Sequence, residues 1–377
     1  MPIENDPEQT GQSTSSAKGA IAYYVSAHGY GHGVRSCDVI KAINRLYSRI
    51  SITVVSNLPV SFFENRLESG TNLYRGGSFD VGMVQLDSIR ADVAATLAKV
   101  EALYAQRDKL IAQEIAFLER ACIGLVAADI PAIPLEAAAL AGIPRIAVGN
   151  FSWDWIYSAF VERDARWGEL VRCFEHGYGK ADLLLRLPFS ADMHSFRAAE
   201  DVPLVASPGR NRRAELASLA GCREDKRWVL LSFTSLDWSN DALDNVEKLT
   251  EYEFFTVLPL RFLRKNIHPI KREQVPFADV VASVDGVLSK PGYGVVSDCV
   301  VNRKALLYAE RTDFAEYGVL VEAIRKYLKH SHIPAERLYR GELCPALDLL
   351  WNCPDPPLSL KGGGAEIAAQ RIAAFLS

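Results

Sequence analysis

The sequence contains no Cys-x-x-Cys pair, no His-Glu-x-x-His pattern and no G-x-x-x-x-G-K-[ST]. The first two absences remove common zinc-site spacings, and the third removes the P-loop phosphate cradle. The seven cysteines, Cys37, Cys122, Cys173, Cys222, Cys299, Cys344 and Cys353, are odd in number and scattered through apolar contexts. They read as reduced core residues rather than a disulfide framework. No uncharged apolar run reaches the roughly 18 residues of a spanning helix. Residues 1–19 lack the basic-then-apolar order of a secretion signal and read as a disordered tail, so the cytoplasm is the expected location. Charge of one sign is also lacking. The 42 basic and 46 acidic residues leave −4, which gives no global field for nucleic acid. What remains is a chain of 377 residues, 49% hydrophobic and 23% charged, enough for about two globular domains.

The apolar pattern supplies an architecture. Ile21–Ser26 is a short run of strand formers, followed by the loop Ala27-His-Gly-Tyr-Gly-His-Gly33. Val34, Cys37, Ile40, Ile43 and Leu46 then recur on one helical stripe, and Ile50–Val55 is a second strand. Strand, glycine turn, helix, strand is a βαβ unit, which places ligands at strand carboxyl ends. Ala91–Cys122 reads as one long helix or a broken pair. Strands are predicted at 123–129, 145–149 and 181–187, and after the prolines near 203–208 at 228–233, 254–258, 286–288 and 305–308. The fold class is α/β, in two Rossmann-like halves of 20–205 and 206–377, with a final amphipathic helix at 367–376.

Candidate chemistry gathers at the loops after strands. Gly29, Gly31 and Gly33 permit close approach to a helix N-terminus, with His28 and His32 beside them. The glycines run G-x-G-x-G, and the second strand ends in Ser56-Asn57 without an acid, which argues against a dinucleotide site. His32 at the helix start is suited to a general base and equally to an N-terminal cap. Asp129, at another strand end, is suited to orient that imidazole and equally to cap the turn before Pro131. The stretch Leu288–Asp298 forms a second strand–glycine–helix loop. Backbone N–H groups of Gly292, Tyr293, Gly294 and Val295 face an anion there, Lys290 adds charge, and Asp298 offers two acceptors to a ribose. A strand–helix turn needs glycine for its own reasons, so a plain turn stays open. Trp153 and Asp154 lie in the aromatic segment Asn150–Tyr157, a packing cluster or a ligand platform. Asp313 and Glu316 are candidate sugar contacts or surface acids.

Taken together, Tyr24-Val-Ser-Ala-His-Gly-Tyr-Gly-His-Gly-Val-Arg35, Asn150-Phe-Ser-Trp-Asp-Trp-Ile-Tyr157, Lys290-Pro-Gly-Tyr-Gly294 and Gly363-Gly-Ala-Glu-Ile367 carry a resemblance. The chain resembles the GT-B superfamily of glycosyltransferases, two facing Rossmann-like domains around a cleft, and within it the glycosyltransferase-like N-terminal domain of plant L-arabinokinases. The sugar-kinase domain that follows in arabinokinases has no counterpart here, so kinase activity is not expected. The resemblance implies an inverting transfer from a nucleotide-diphosphate sugar, UDP by family frequency, to a hydroxyl on a small-molecule or lipid-linked acceptor. His32 takes the place of the base and Asp129 of its orienting acid. Lys290, Gly292, Tyr293, Gly294, Val295, Asp298, Asp313 and Glu316 fall on the donor side; His28, Gly29, Gly31, Trp153 and Asp154 fall on the acceptor side. No metal, cofactor, nucleic acid or membrane segment is implied. The loop Ser232-Phe-Thr-Ser235 departs from the family by lacking glycine at the diphosphate, where the hydroxyls of Ser232, Thr234 and Ser235 substitute and Phe233 adds bulk. The alternatives are a non-catalytic nucleotide-sugar or sugar-binding regulatory module, and an epimerase or hydrolase on the same fold.

Overall fold

The computed structural model describes residues 19–376. The tail expected at 1–19 lies outside them, apart from Gly19, which opens the first strand. In chain order the strands are β1 (Gly19–Val25), β2 (Ile50–Val55), β3 (Asn72–Arg75), β4 (Leu125–Asp129), β5 (Arg145–Gly149), β6 (Leu183–Arg186), β7 (Ala199–Asp201), β8 (Arg227–Ser232), β9 (Tyr252–Val257), β10 (Ile267–Ile270), β11 (Gly286–Ser289), β12 (Ala305–Ala309) and β13 (His330–Ile333). They form one sheet in the order β3-β2-β1-β4-β5-β6-β7 and another in the order β10-β9-β8-β11-β12-β13. Every pairing in both sheets is parallel.

Each sheet starts at an inner strand, builds outward to one edge, then crosses back to build the other side. This doubly wound order opens a crevice at the carboxyl ends of β1 and β4, and of β8 and β11. Helices cover both faces, so most inner strands are apolar runs without alternation; β4 and β9 are buried from end to end, while β2 keeps Ser51 and Thr53 in alternation. The sequence placed all nine inner strands to within about two residues. It missed β3, β7, β10 and β13, and these are the four sheet edges. Edge strands are short and half-solvated, and β10 even contains Pro269, so the apolar signal is weak there.

The helical stretch expected at 91–122 is a broken pair, Val93–Tyr104 and Arg107–Arg120. Asp92 caps the first, its carboxylate accepting the Ala95 N–H at 2.9 Å. The helix after β1 runs Tyr30–Leu46 and takes the glycine loop into its first turn, with Gly29 at the N-cap. Cys37, Ile40 and Ile43 are buried as expected, but Val34 is exposed. The inward positions of the first turns belong instead to His32, Arg35 and Ser36.

The final helix, Gly364–Ala374, falls in sequence within 206–377 but packs on the first half of the chain. Ala368, Ala369 and Ile372 are buried in a core cluster shared with Val39 and Ile43. Arg45 donates to Glu366 at 2.7 Å, and Arg371 to Glu200 at 2.8 Å. Gly364 permits the crossing, since a Cβ there would fall 2.0 Å from the Pro203 carbonyl oxygen. Ile372→Ala is therefore expected to cost about 2–5 kcal/mol in urea unfolding. A loss under about 0.5 kcal/mol, the range of surface changes, would mean that the helix is not docked.

Candidate functional site

The carboxyl end of β4 delivers Asp129 into a fully buried position beneath the first turns of helix Tyr30–Leu46. Its carboxylate collects four donors. His32 Nδ1 approaches Oδ1 at 2.9 Å, Arg35 Nη2 donates to Oδ1 at 2.6 Å, Arg35 Nε to Oδ2 at 2.7 Å, and Ser36 Oγ to Oδ2 at 2.9 Å. That saturates the four lone-pair directions of a carboxylate. Burial alone pushes the Asp129 carboxyl up, but the Arg35 guanidinium and His32 outweigh it and hold it well below the usual carboxylate range. The ionised Oδ1 at 2.9 Å favours the tautomer with its proton on Nδ1, whereas Arg35 Nη2, a donor 3.1 Å from the same nitrogen, favours the other. Among the described residues nothing hydrogen-bonds Nε2, which carries the free lone pair in the first of these tautomers. The N-cap of this helix is Gly29, so His32 does not cap it.

His28 lies beside this pair, its ring 6.3 Å from that of His32 and 5.3 Å from that of Trp153. The Met83 N–H donates to His28 Nδ1 at 3.3 Å. Burial, with His32, Arg311 and Lys290 adding to it, lowers His28 to about 3, so it is neutral. Gly82 makes the contact possible. With φ at +72° and His28 Nδ1 only 1.9 Å from where a Cβ would stand, no other residue fits. Trp153 and Asp154 are 1% exposed each. Trp153 donates through Nε1 to Asp80 at 3.0 Å and stacks on Tyr157, so it builds the wall behind His28. Asp154 accepts from Ser195 Oγ at 2.5 Å, and a carboxylate oxygen of Asp154, one of Glu175 and a ring nitrogen of His194 lie within 4.8 Å of one another.

The second sheet presents the other wall. Gly292 caps helix Tyr293–Asn302 in the same extended conformation that Gly29 adopts, φ −156° against −162°. The two helix N-termini face each other closely enough that a Cβ on Gly294 would stand 3.7 Å from Gly31 Cα. A Cβ on Gly29, Gly31 or Gly292 would meet no protein atom within 4 Å, so that space is open to a ligand. Val295 lies in the first turn, half-buried. Lys290 donates to Gln85 at 3.1 Å, and among the described residues neither Lys290 nor Arg311 forms an ion pair. Burial, with the nearby Arg311, lowers Lys290 to about 7. Burial brings Arg311 to about 10, so it stays charged at neutral pH; its Nε is buried without a partner. Two converging positive helix ends and two unpaired cations suit a diphosphate.

The remaining candidates are distributed unevenly. Asp298, half-buried on helix Tyr293–Asn302, has no cationic partner, and burial together with Asp38 raises it to about 7. Phe233 is 7% exposed and packs with Leu231, Leu236 and Trp238, so its bulk points into the core and leaves the loop open. The Ser232 carbonyl accepts from Ser289 Oγ at 2.7 Å, Thr234 is exposed, and Ser235 is held by Ser88 of the first half. Asp313 is ion-paired to Arg163 at 2.6 Å. Glu316 is buried and accepts from Asn150 Nδ2 at 2.8 Å. Sequence reasoning passed over Arg35, Ser36, Asn150 and Arg311, although Arg35 and Asn150 stand within the motifs it singled out.

With this geometry in place, comparison with known proteins decides the fold. UGT89C1 of Arabidopsis thaliana, crystallised with UDP-L-rhamnose, superposes with a TM-score of 0.61 at 14% identity, covering 96% of this chain and 100% of that one. A UDP-glucosyltransferase from Polygonum tinctorium capable of glucosylating indoxyl gives 0.61 at 13% identity, covering 96% and 99%. The fold is GT-B. No protein-family model matches the chain. By sequence it is 30% identical over 383 residues to L-arabinokinase of Arabidopsis thaliana, covering 96% of this chain and 35% of that protein. The GT-B chain thus spans about a third of the length of the curated relative it matches. No helix among its described residues is long and apolar enough to cross a membrane.

Asp129 titrates below its unfolded value of about 3.9, so its charge contributes stability above that pH and loses it as pH falls further. Asp129→Asn is expected to cost about 3–5 kcal/mol at pH 7, because it leaves Arg35 buried and unpaired. The deficit should shrink by pH 3. A deficit of constant size at both pH values in denaturant titrations would remove the charge argument.

Proposed function

We propose that the chain transfers a sugar, with inversion and without a metal ion, from a UDP-sugar or related nucleotide-diphosphate donor to an acceptor hydroxyl. One observation carries this reading. The His32–Asp129 pair, with Nε2 free, stands beside the meeting point of two glycine cradles, next to two unpaired cations. His32 Nε2 takes the acceptor proton as the oxygen attacks the anomeric carbon. The new C–O bond forms as the bond from that carbon to the diphosphate oxygen breaks, and the nucleotide leaves with the electron pair. The N-terminus of helix Tyr293–Asn302, Lys290 and Arg311 balance the charge gathering on the leaving group. Asp129 balances the imidazolium without itself taking the proton. The seven unpaired thiols are consistent with a cytoplasmic setting. UGT89C1 and the Polygonum tinctorium enzyme support a UDP-linked donor through the shared fold alone.

One feature favours a binding module instead. Gln85 on Lys290 and Ser88 on Ser235 occupy donor-side groups with residues of the first half. His32→Ala separates the two readings. In a transferase it lowers turnover by about 10²–10⁴-fold while UDP-glucose affinity stays within about threefold. Unchanged turnover in that variant would remove His32 as the base.

Lys290 adds a pH dependence. An anionic donor binds the protonated amine, and in the free protein that proton is lost above about pH 7. UDP-glucose, whose diphosphate does not titrate there, should bind about tenfold or more weakly at pH 9 than at pH 7. Lys290→Met should bind weakly at both. Calorimetry showing the same pH slope in both proteins would place the titrating group elsewhere.

A further inference from the structure

Asp129 needs only one partner to orient His32, yet Arg35 spends both prongs of its fork on it and still has a third arm. That arm, Nη1, donates to Asn150 Oδ1 at 2.7 Å, and Asn150 Nδ2 donates to Glu316 Oε1 at 2.8 Å. The chemistry fixes the Asn150 amide, because a guanidinium only donates and a carboxylate only accepts. The result is a chain of alternating character: imidazole, carboxylate, guanidinium, amide dipole, carboxylate. Its members Arg35, Asp129, Asn150 and Glu316 are exposed by 4%, 0%, 0% and 8%, so water does not replace any link. Glu316 belongs to the helix after β12, on the far side of the cleft from the other three. Tyr293, in the first turn of the second cradle, adds a parallel contact, its ring 4.9 Å below the Arg35 guanidinium.

The geometry points to Arg35 and Asn150 as positioning residues that tie the plane of Asp129, and through it the ring of His32, to Glu316 on the donor side. This rests on the transfer reading above. It goes further by making the set of the base depend on the two halves being closed. With the halves apart, Glu316 and Tyr293 are withdrawn and Arg35 keeps only Asp129 and a loose Asn150. The fork and the imidazole then share one carboxylate with no outer brace. When they close, the bidentate Arg35–Asp129 pair is held in one plane from behind, and Oδ1 is fixed against Nδ1–H. Among the described residues nothing hydrogen-bonds Glu316 Oε2, so a donor-sugar hydroxyl is able to bind there without breaking the brace. Arg35 and Asn150 touch neither donor nor leaving group in this scheme and act only through Asp129.

The test uses the full chain and two readouts. Without ligand, hydrogen exchange of the amides of residues 26–36 is followed in wild type, Glu316→Ala, Glu316→Gln, Asn150→Ala and the Asn150→Ala/Glu316→Ala double variant. Glu316→Ala breaks the last link and should speed exchange around His32 about threefold or more. Glu316→Gln keeps the acceptor and should restore the wild-type rate, and the double variant should be no worse than Asn150→Ala alone. Unchanged exchange in Glu316→Ala, or effects that simply add, overturns the relay. Should Asn150→Ala fail to fold, the Glu316 pair decides alone. The second readout is UDP-glucose turnover, in which Asn150→Ala should lower kcat about tenfold with KM within about threefold. Absence of turnover in wild type counts against the transfer reading and leaves the exchange result, which needs no catalysis, to decide the relay.

Discussion

A single carboxylate with no access to water organises this protein. Asp129 lies at the end of a fully buried strand, and an ionised group there costs far more than any one hydrogen bond returns. Its environment is therefore built to saturate it, with His32, Arg35 and Ser36 brought from three consecutive inward positions of one helix. This is why the first turns of that helix abandon the apolar stripe that the later turns keep. It is also why Arg35 sits inside a molecule whose other arginines mostly pair at the surface.

The cleft wall follows from a second constraint, that backbone N–H groups at a helix start have no partner within the helix. Two such starts meet at Gly31 and Gly294, and small residues there leave the amides open to the gap. Among the described residues neither Lys290 nor Arg311 forms an ion pair, although Asp87 and Glu316 act on them from a distance. Arg35 is neutralised by Asp129, whereas Lys290 and Arg311 keep their charge without an ion pair among the described residues. The final helix then returns to the first half, so the two walls are joined by chain at 202–210 and again at 360–364.

Much of the fold was legible in the amino-acid order because inner strands of a parallel sheet are covered on both faces. Ile50–Val55 and Arg145–Gly149 stand in the structure with the bounds their apolar runs suggest. Glycine loops marked where strands give way to helices, and so marked both cradles. The edges were hidden because Asn72–Arg75 and His330–Ile333 are too short and polar to differ from loops. His32 and Asp129 were legible as candidates because both stand at strand ends in a pattern whose topology puts them on one edge.

The sequence by itself thus determined the α/β alternation, the two glycine loops at strand ends and the placing of His32 and Asp129 on one sheet edge. Tertiary structure alone decided that His32 meets Asp129 through Nδ1, that Phe233 turns inward, that Asp313 is consumed by Arg163, and that the last helix docks on the first half. The reason is one of range. Periodicity and turn chemistry are local and survive in the order of residues. The role of a charge depends on which opposite charge folding brings to it, and Arg35, a routine helix residue in the sequence, acquires its own from a strand 94 residues away.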